Sequence, residues 1–198
     1  MTQADAAVDR AAQALASGAL AILPTETVYG LAADAADPRA VAALFQAKGR
    51  PRFNPLIAHV ADLAMGRRVG VFDERAVALA QAFWPGPLTL VLPVADGDAV
   101  CDLARAGLDS VAIRVPGHPI ARAVIAALGR PVVAPSANRS GRPSPTTFAD
   151  ALEETGVFAL AALDGGPCAV GLESTVVALL DDPRLLRPGA VTREQIEA

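Results

Sequence analysis

Lysine is almost missing from this 198-residue chain: Lys48 stands alone against sixteen arginines. Arginine therefore serves wherever a generic cation will do, which singles out Lys48 for a task that needs a compact ammonium. Cysteine occurs twice, at Cys101 and Cys168, with no CxxC pair. This gives neither a zinc site nor a disulfide framework, and a reducing cytoplasm is the expected setting. No run of 18 apolar residues occurs, and the first 18 residues carry Asp5 and Asp9 with no apolar stretch, so neither a membrane span nor a signal peptide is expected. Aromatics make up 4% and the net charge is −4, which counts against a general polyanion binder that stacks on bases. Acidic residues are missing from two long stretches. Residues 38–61 hold Arg39, Lys48, Arg50 and Arg52, and residues 110–149 hold Arg114, Arg122, Arg130, Arg139 and Arg142, with no Asp or Glu in either. In an acidic chain, such stretches are expected to fold around an anion, with chance clustering as the plain alternative.

What is present is a 53% hydrophobic sequence, ample for one buried core, and residues 1–198 parse as one domain. Helical periodicity marks residues 4–17, with Gly18 as the stop. Asp37-Pro38 opens a helix to about Ala47, Asp62 a short one, and Asp73 another to Phe83. Residues 119–128 are helical up to Gly129, and Thr146 or Thr147 caps a helix to about Glu154. Thr192 and Gln195 form a capping-box pattern. Strands are expected at 19–23, 56–60, 88–94, 111–115, 132–134, 158–163, 174–180 and 185–186. This alternation predicts an α/β fold.

Five segments lie at strand or helix ends, where α/β sheets bind ligands. Residues 23–31 place Thr25, Glu26 and Thr27 in a turn, which also reads as ordinary turn capping. Lys48-Gly49-Arg50, then Asn54 and His59, group cations suited to a phosphate chain. A cation at a helix C-terminus is favourable in itself, and a strand histidine alone reads as half-buried structure. Ser136-Ala137-Asn138 opens a loop to Ser144 rich in hydroxyls and amides, a candidate phosphate or ribose cradle without a Walker pattern. Glu173-Ser174-Thr175 and Arg187-Pro188-Gly189 complete the set. With no GxGxxG, HExxH or GxSxG, the inventory is cations, hydroxyls and amides, suited to positioning and electrostatic stabilisation.

The collinear pieces PTETVYGL, KGR…NPL..H, FWPGPLT, SVAIRVPGHP, APSAN.SG.PSPT, ESTVV and LRPGA are together similar to the YrdC/TsaC family, over about residues 19–191. The resemblance implies a twisted open sheet of mixed strand direction with flanking helices and a large basic cleft. It implies synthesis of threonylcarbamoyl-AMP from L-threonine, bicarbonate and ATP, the first step toward N6-threonylcarbamoyladenosine in tRNA. Carried over by position, threonine contacts Thr27, His59, Arg114, Ser174 and the backbone of Ala134. ATP contacts Lys48, Arg50, Asn54, Ser110, Ser136, Asn138, Ser144 and Arg187, with Lys48 and Arg50 in the catalytic role. Ser110 stands where threonine is usual. Mg²⁺ is expected to arrive with ATP, with no protein-built metal site. Partners on this reading are downstream threonylcarbamoyl-transfer proteins, with contact to tRNA or double-stranded RNA. A carbamoyl-adenylate-forming domain and a non-catalytic RNA-binding module are the rival readings.

Overall fold

The computed structural model of the protein describes residues 3–95 and 97–197. Its strands are β1 (Leu20–Leu23), β2 (Gly30–Asp34), β3 (Ile57–His59), β4 (Leu88–Pro93), β5 (Ser110–Arg114), β6 (Val132–Val133), β7 (Ala159–Ala162), β8 (Thr175–Ala178) and β9 (Arg184–Arg187). They form one open sheet in the order β7-β1-β2-β6-β3-β5-β4-β8-β9. Pairing is mixed: β1/β7, β3/β5 and β4/β8 are parallel, whereas β1/β2, β2/β6, β3/β6, β4/β5 and β8/β9 are antiparallel. The expected α/β class with an open mixed sheet and flanking helices is what forms.

The helices are α1 (Gln3–Ala16), α2 (Pro38–Lys48), α3 (Leu63–Val69), α4 (Glu74–Phe83), α5 (Asp102–Arg105), α6 (Pro119–Leu128), α7 (Phe148–Thr155) and α8 (Arg193–Glu197). Their starts follow the side-chain chemistry read from the sequence. Asp37, Asp62, Asp73 and Thr147 each accept a hydrogen bond from a backbone N–H in the first turn of α2, α3, α4 and α7. Gly49 closes α2 in the left-handed region at φ +60°, leaving Lys48 as its last residue.

Two elements escape the sequence reading. Strand β2 is Gly-Leu-Ala-Ala-Asp, buried throughout, so it shows no alternation and no β-branched residue to mark it. Helix α5 is four residues long, too short for periodicity to register.

The middle of the sheet shows which face carries the site. Ala58, Ile113, Leu90 and Leu92 are completely or almost completely buried, and Gly70 at the end of α3 lies against Ile113 and Leu92. Their neighbours Ile57, Ala112, Val91 and Val176 alternate to the other face and are only half-buried. On that open face, register lines residues up in rows. His59 pairs with Arg114, and Thr89 with Val176. One row on, Ile57 pairs with Ala112, and Ala112 with Val91. Ser110 lies one further step along β5.

Candidate active site

The open face carries a cavity of about 260 Å³, floored by Ile57, Ala112, Val91 and Val176. Its walls are the turn with Thr25 and Thr27, the segment 54–56, the strand exit Ala134-Pro135-Ser136, the Glu173-Ser174 loop and Leu186-Arg187 at the end of β9. A second cavity of about 360 Å³ continues along the same face and shares Pro55, Val91, Ala112 and Leu186 with the first. Its further lining is Leu108, Ser110, Ala178, Leu180, Asp181, Asp182 and Arg184.

Arg114, at the end of β5, is the best-fixed cation. Its side chain is buried; Nε donates to Gly86 O at 3.1 Å, Nη1 to Thr27 Oγ1 at 3.0 Å and Nη2 to Glu26 Oε1 at 2.6 Å. Glu26 in turn accepts from Gly117 N at 2.8 Å through its other oxygen. A guanidinium has five N–H groups, so these bonds leave two without a partner among the described residues. Burial lowers the Arg114 pKa while Glu26 raises it, and the group stays charged. Thr25 fixes the proton on Thr27. The Thr25 hydroxyl donates to Val28 O at 2.6 Å, so at the 2.9 Å contact between the two threonines Thr27 is the donor. The Thr27 oxygen is thereby left to accept from Arg114.

His59 is buried beside Arg114, and burial first, then that guanidinium, lowers its pKa to about 3. The ring is neutral at physiological pH. Its Nδ1 lies 3.1 Å from Ile57 O and must carry the proton to bond there, which leaves Nε2 as an acceptor. The folded protein binds fewer protons than the unfolded chain between about pH 3 and 6.5, so stability rises with pH across that window. Chemical denaturation from pH 7 to 5 should show this loss, up to about 1.4 kcal/mol per pH unit at its steepest. His59→Gln should flatten the slope; an unchanged slope would show that His59 does not set it.

Ser174 lines the cavity just before β8. Its Oγ contacts Thr89 Oγ1 at 2.8 Å and accepts from Arg187 Nη2 at 3.0 Å, while Arg187 Nε donates to Ser174 O at 3.0 Å. The Pro188-Gly189 turn holds this wall from behind. A Cβ on Gly189 would fall 2.4 Å from Glu173 O and 2.5 Å from Thr175 N, both backbone atoms that cannot step aside cheaply. Gly189→Ala should therefore destabilise the protein by about 1–3 kcal/mol. Hydrogen exchange should quicken at Val191, whose N–H bonds Thr175 Oγ1; wild-type melting and exchange would refute this account.

The remaining sequence candidates fall into three places. Arg50, Asn54, Ala134 and Ser136 line the cavity with Thr27, His59, Arg114, Ser174 and Arg187. Ser110 lines the adjoining cavity. Lys48 and Asn138 stand behind the wall, and Ser144 meets the cavity through its bond to Glu173. The Lys48 ammonium is buried and donates to the carbonyls of both Ser136 and Asn138, while Lys48 O accepts from Ser140 N at 2.8 Å. It thus clamps the 136–140 loop from two sides. Burial first, then Arg50, push its pKa down to about 8. Asn138 Nδ2 donates to Arg139 O and Arg142 O, and its buried Oδ1 has no partner among the described residues. Ser144 Oγ donates to Glu173 Oε1 at 2.9 Å.

The acid-free stretches do not close on an anion as a block. Acids from elsewhere meet several of their arginines: Arg130 pairs with Asp34 at 2.6 Å and Arg142 with Glu154 at 2.7 Å. Of those stretches, Arg50 and Arg114 reach the cavity. Glu26, Thr25, Thr89 and Glu173 also organise the site, and none is among the site residues expected from the sequence. Glu26 and Glu173 were visible only as members of their motifs, because a carboxylate that holds an arginine has no local sequence signature. Among the described residues, no group of three or more His, Cys, Asp or Glu side chains could hold a metal ion. Nor is any helix among them long and apolar enough to cross a membrane.

A mixed open sheet with arginines and hydroxyls gathered in one cavity, beside another lined largely by aliphatic side chains, places the chain among α/β proteins with a cavity on an open sheet face. The Sua5/YciO/YrdC family model, described as telomere recombination, matches residues 13–189. The chain belongs to this family. It is 47% identical over 196 residues to a threonylcarbamoyl-AMP synthase of Bacillus subtilis, covering 98% of this chain and 56% of that protein. It is also 47% identical over 189 residues to the threonylcarbamoyl-AMP synthase of Pyrococcus abyssi, covering 94% and 55%. The chain thus spans just over half the length of these curated relatives. The crystal structure of P. abyssi Sua5 complexed with L-threonine superposes with a TM-score of 0.93 at 45% identity, covering 98% of this chain and 57% of that one.

Proposed function

We propose that this chain makes threonylcarbamoyl-AMP and pyrophosphate from L-threonine, bicarbonate and ATP. The observation that carries the reading is the order of chemistry along the open face. The Arg114, Thr27, His59 and Ser174 cluster marks one end. Arg50 and Arg187 line the same cavity, and the largely aliphatic cavity with Ser110 follows. An amino acid, a phosphate chain and a nucleoside fit that order. The printed names of the relatives and the threonine complex of the P. abyssi protein support it.

In this reading Arg114 holds the threonine carboxylate with its two free N–H groups. His59 Nε2, an acceptor, orients the amine or the hydroxyl. The amine takes up CO₂ derived from bicarbonate, with loss of water, to give a carbamate. The carbamate oxygen attacks the α-phosphorus in line, and pyrophosphate leaves. Arg50 and Arg187 spread the charge that develops on the phosphates, and Lys48 holds the Ser136–Asn138 loop against them. Mg²⁺ enters as part of the nucleotide. The product, a mixed anhydride of high transfer potential, passes to proteins that transfer the threonylcarbamoyl group to tRNA.

Calorimetry with threonine and ATP, separately and together, alongside pyrophosphate release, tests the proposal. Pyrophosphate release that depends on both threonine and bicarbonate is the expected result. Turnover with carbamoyl phosphate in place of threonine and bicarbonate would reassign the chemistry. Salt-sensitive RNA binding with no turnover would replace the enzyme by a binding module.

A further inference from the structure

One carboxylate stands among the cavity's cations. Glu173 lines the cavity and is half-exposed to it. Its Oε2 accepts from Arg187 Nη1, and its Oε1 accepts from the Ser144 hydroxyl at 2.9 Å. It lies close enough to Lys48, Arg50 and Arg114 to favour the charged form of each. Arg187 and Ser144 are both among the residues expected to contact ATP. Arg187 gives one of its terminal N–H groups, and Ser144 its hydroxyl, to this one side chain, while the other Arg187 bonds go to Ser174. An oxyanion that accepts from a guanidinium and a hydroxyl makes the contacts that a phosphate group makes.

We propose that Glu173 is a built-in competitor for the phosphate subsite: it occupies Arg187 and Ser144 until the nucleotide displaces it, and it closes on them again as pyrophosphate leaves. The inference rests on the proposed nucleotide chemistry and goes beyond it by naming the group that limits phosphate affinity. Arg114 already has Glu26; without Glu173, Arg50 and Arg187 would repel one another and would grip a polyanionic product too tightly for rapid release. With it, the cations keep their positions, and each phosphate must win its contacts from a carboxylate already there. The displaced Glu173 is itself an anion beside the bound phosphates, which weakens their binding further.

Glu173→Gln removes the charge, keeps the shape and can still accept from Ser144. In EDTA, without Mg²⁺, calorimetry should show pyrophosphate bound about tenfold more tightly by this variant than by the wild type. Pyrophosphate should also inhibit the variant's turnover at correspondingly lower concentration. Equal or weaker pyrophosphate binding by the variant overturns the inference. Weakening confined to the arm with Mg²⁺ would make Glu173 a metal ligand, and also overturns it. If wild-type protein binds neither pyrophosphate nor ATP, the nucleotide reading itself fails, a result distinct from either. The wild-type protein supplies a test that needs no variant. A crystal structure with pyrophosphate should show Glu173 swung off Arg187 and Ser144; both contacts retained beside bound pyrophosphate would refute the proposal.

Discussion

Arg114→Ala should unfold at a temperature lower by on the order of 10 °C and should bind no measurable threonine. The stability loss follows from what the substitution strands. Glu26 sits with its side chain 13% exposed, and its partners are Arg114 and the Gly117 N–H. Removing the guanidinium leaves a largely buried carboxylate without its counter-charge, at a cost of about 3–5 kcal/mol. Thr27 and Gly86 O also lose their partner. The binding loss follows from the proposed role of Arg114 as the group that holds the threonine carboxylate. The two effects separate in a double variant. Arg114→Met with Glu26→Gln removes both charges together and should recover most of the melting temperature, because a paired deletion costs far less than a single one. Threonine binding should stay absent. Recovery of both together would show that Arg114 acts only through folding.

Lys48→Ala should lower turnover ten- to a few-hundred-fold, the equivalent of about 1.5–3 kcal/mol for a charged hydrogen-bond donor. The loss should fall on the nucleotide. The ammonium holds Ser136 O and Asn138 O, and the Lys48 carbonyl holds Ser140 N, so the substitution frees a loop that carries candidate ATP contacts. In the proposed reading threonine is held by Arg114, Thr27, His59, Ser174 and the backbone of Ala134, and the Arg114, Thr27 and His59 side chains take their hydrogen bonds from outside that loop. Calorimetry should therefore show threonine affinity unchanged and ATP affinity reduced. Lys48→Arg should not rescue, because the buried site suits a compact ammonium between two carbonyls rather than a planar fork. In the wild type the ammonium loses its charge as pH rises through about 8, so ATP affinity should fall between pH 7 and 9. The Lys48→Ala variant should lack that step. Equal loss for both ligands, or a pH step surviving in the variant, would remove Lys48 from this role.

Much of the architecture was legible because local chemistry governs it. Asp37, Asp62, Asp73 and Thr147 cap helices because their side chains satisfy backbone donors a few residues away. The alternation of β4 and β5 shows on a half-open sheet face. Strand β2 was illegible because it is buried on both faces, and a short apolar segment of small residues carries no periodicity to read. The site was legible as a set of loops, and Thr27, Arg50, His59, Arg114, Ser174 and Arg187 do meet in one cavity.

The sequence by itself determined where cations and hydroxyls could gather: strand exits and helix ends, marked by Gly, Pro and short polar side chains. That information is local, since turn geometry and capping depend on neighbours in the chain. Only the tertiary structure decided what each group faces. It put Lys48 behind the wall as a clamp, Ser110 in the adjoining cavity, Glu26 under Arg114 and Glu173 upon Arg187. A carboxylate and its arginine here are separated by 88 residues in one case and 14 in the other. Such pairs are set by strand register and loop crossing, and Coulomb's law acts on distance in space, not along the chain.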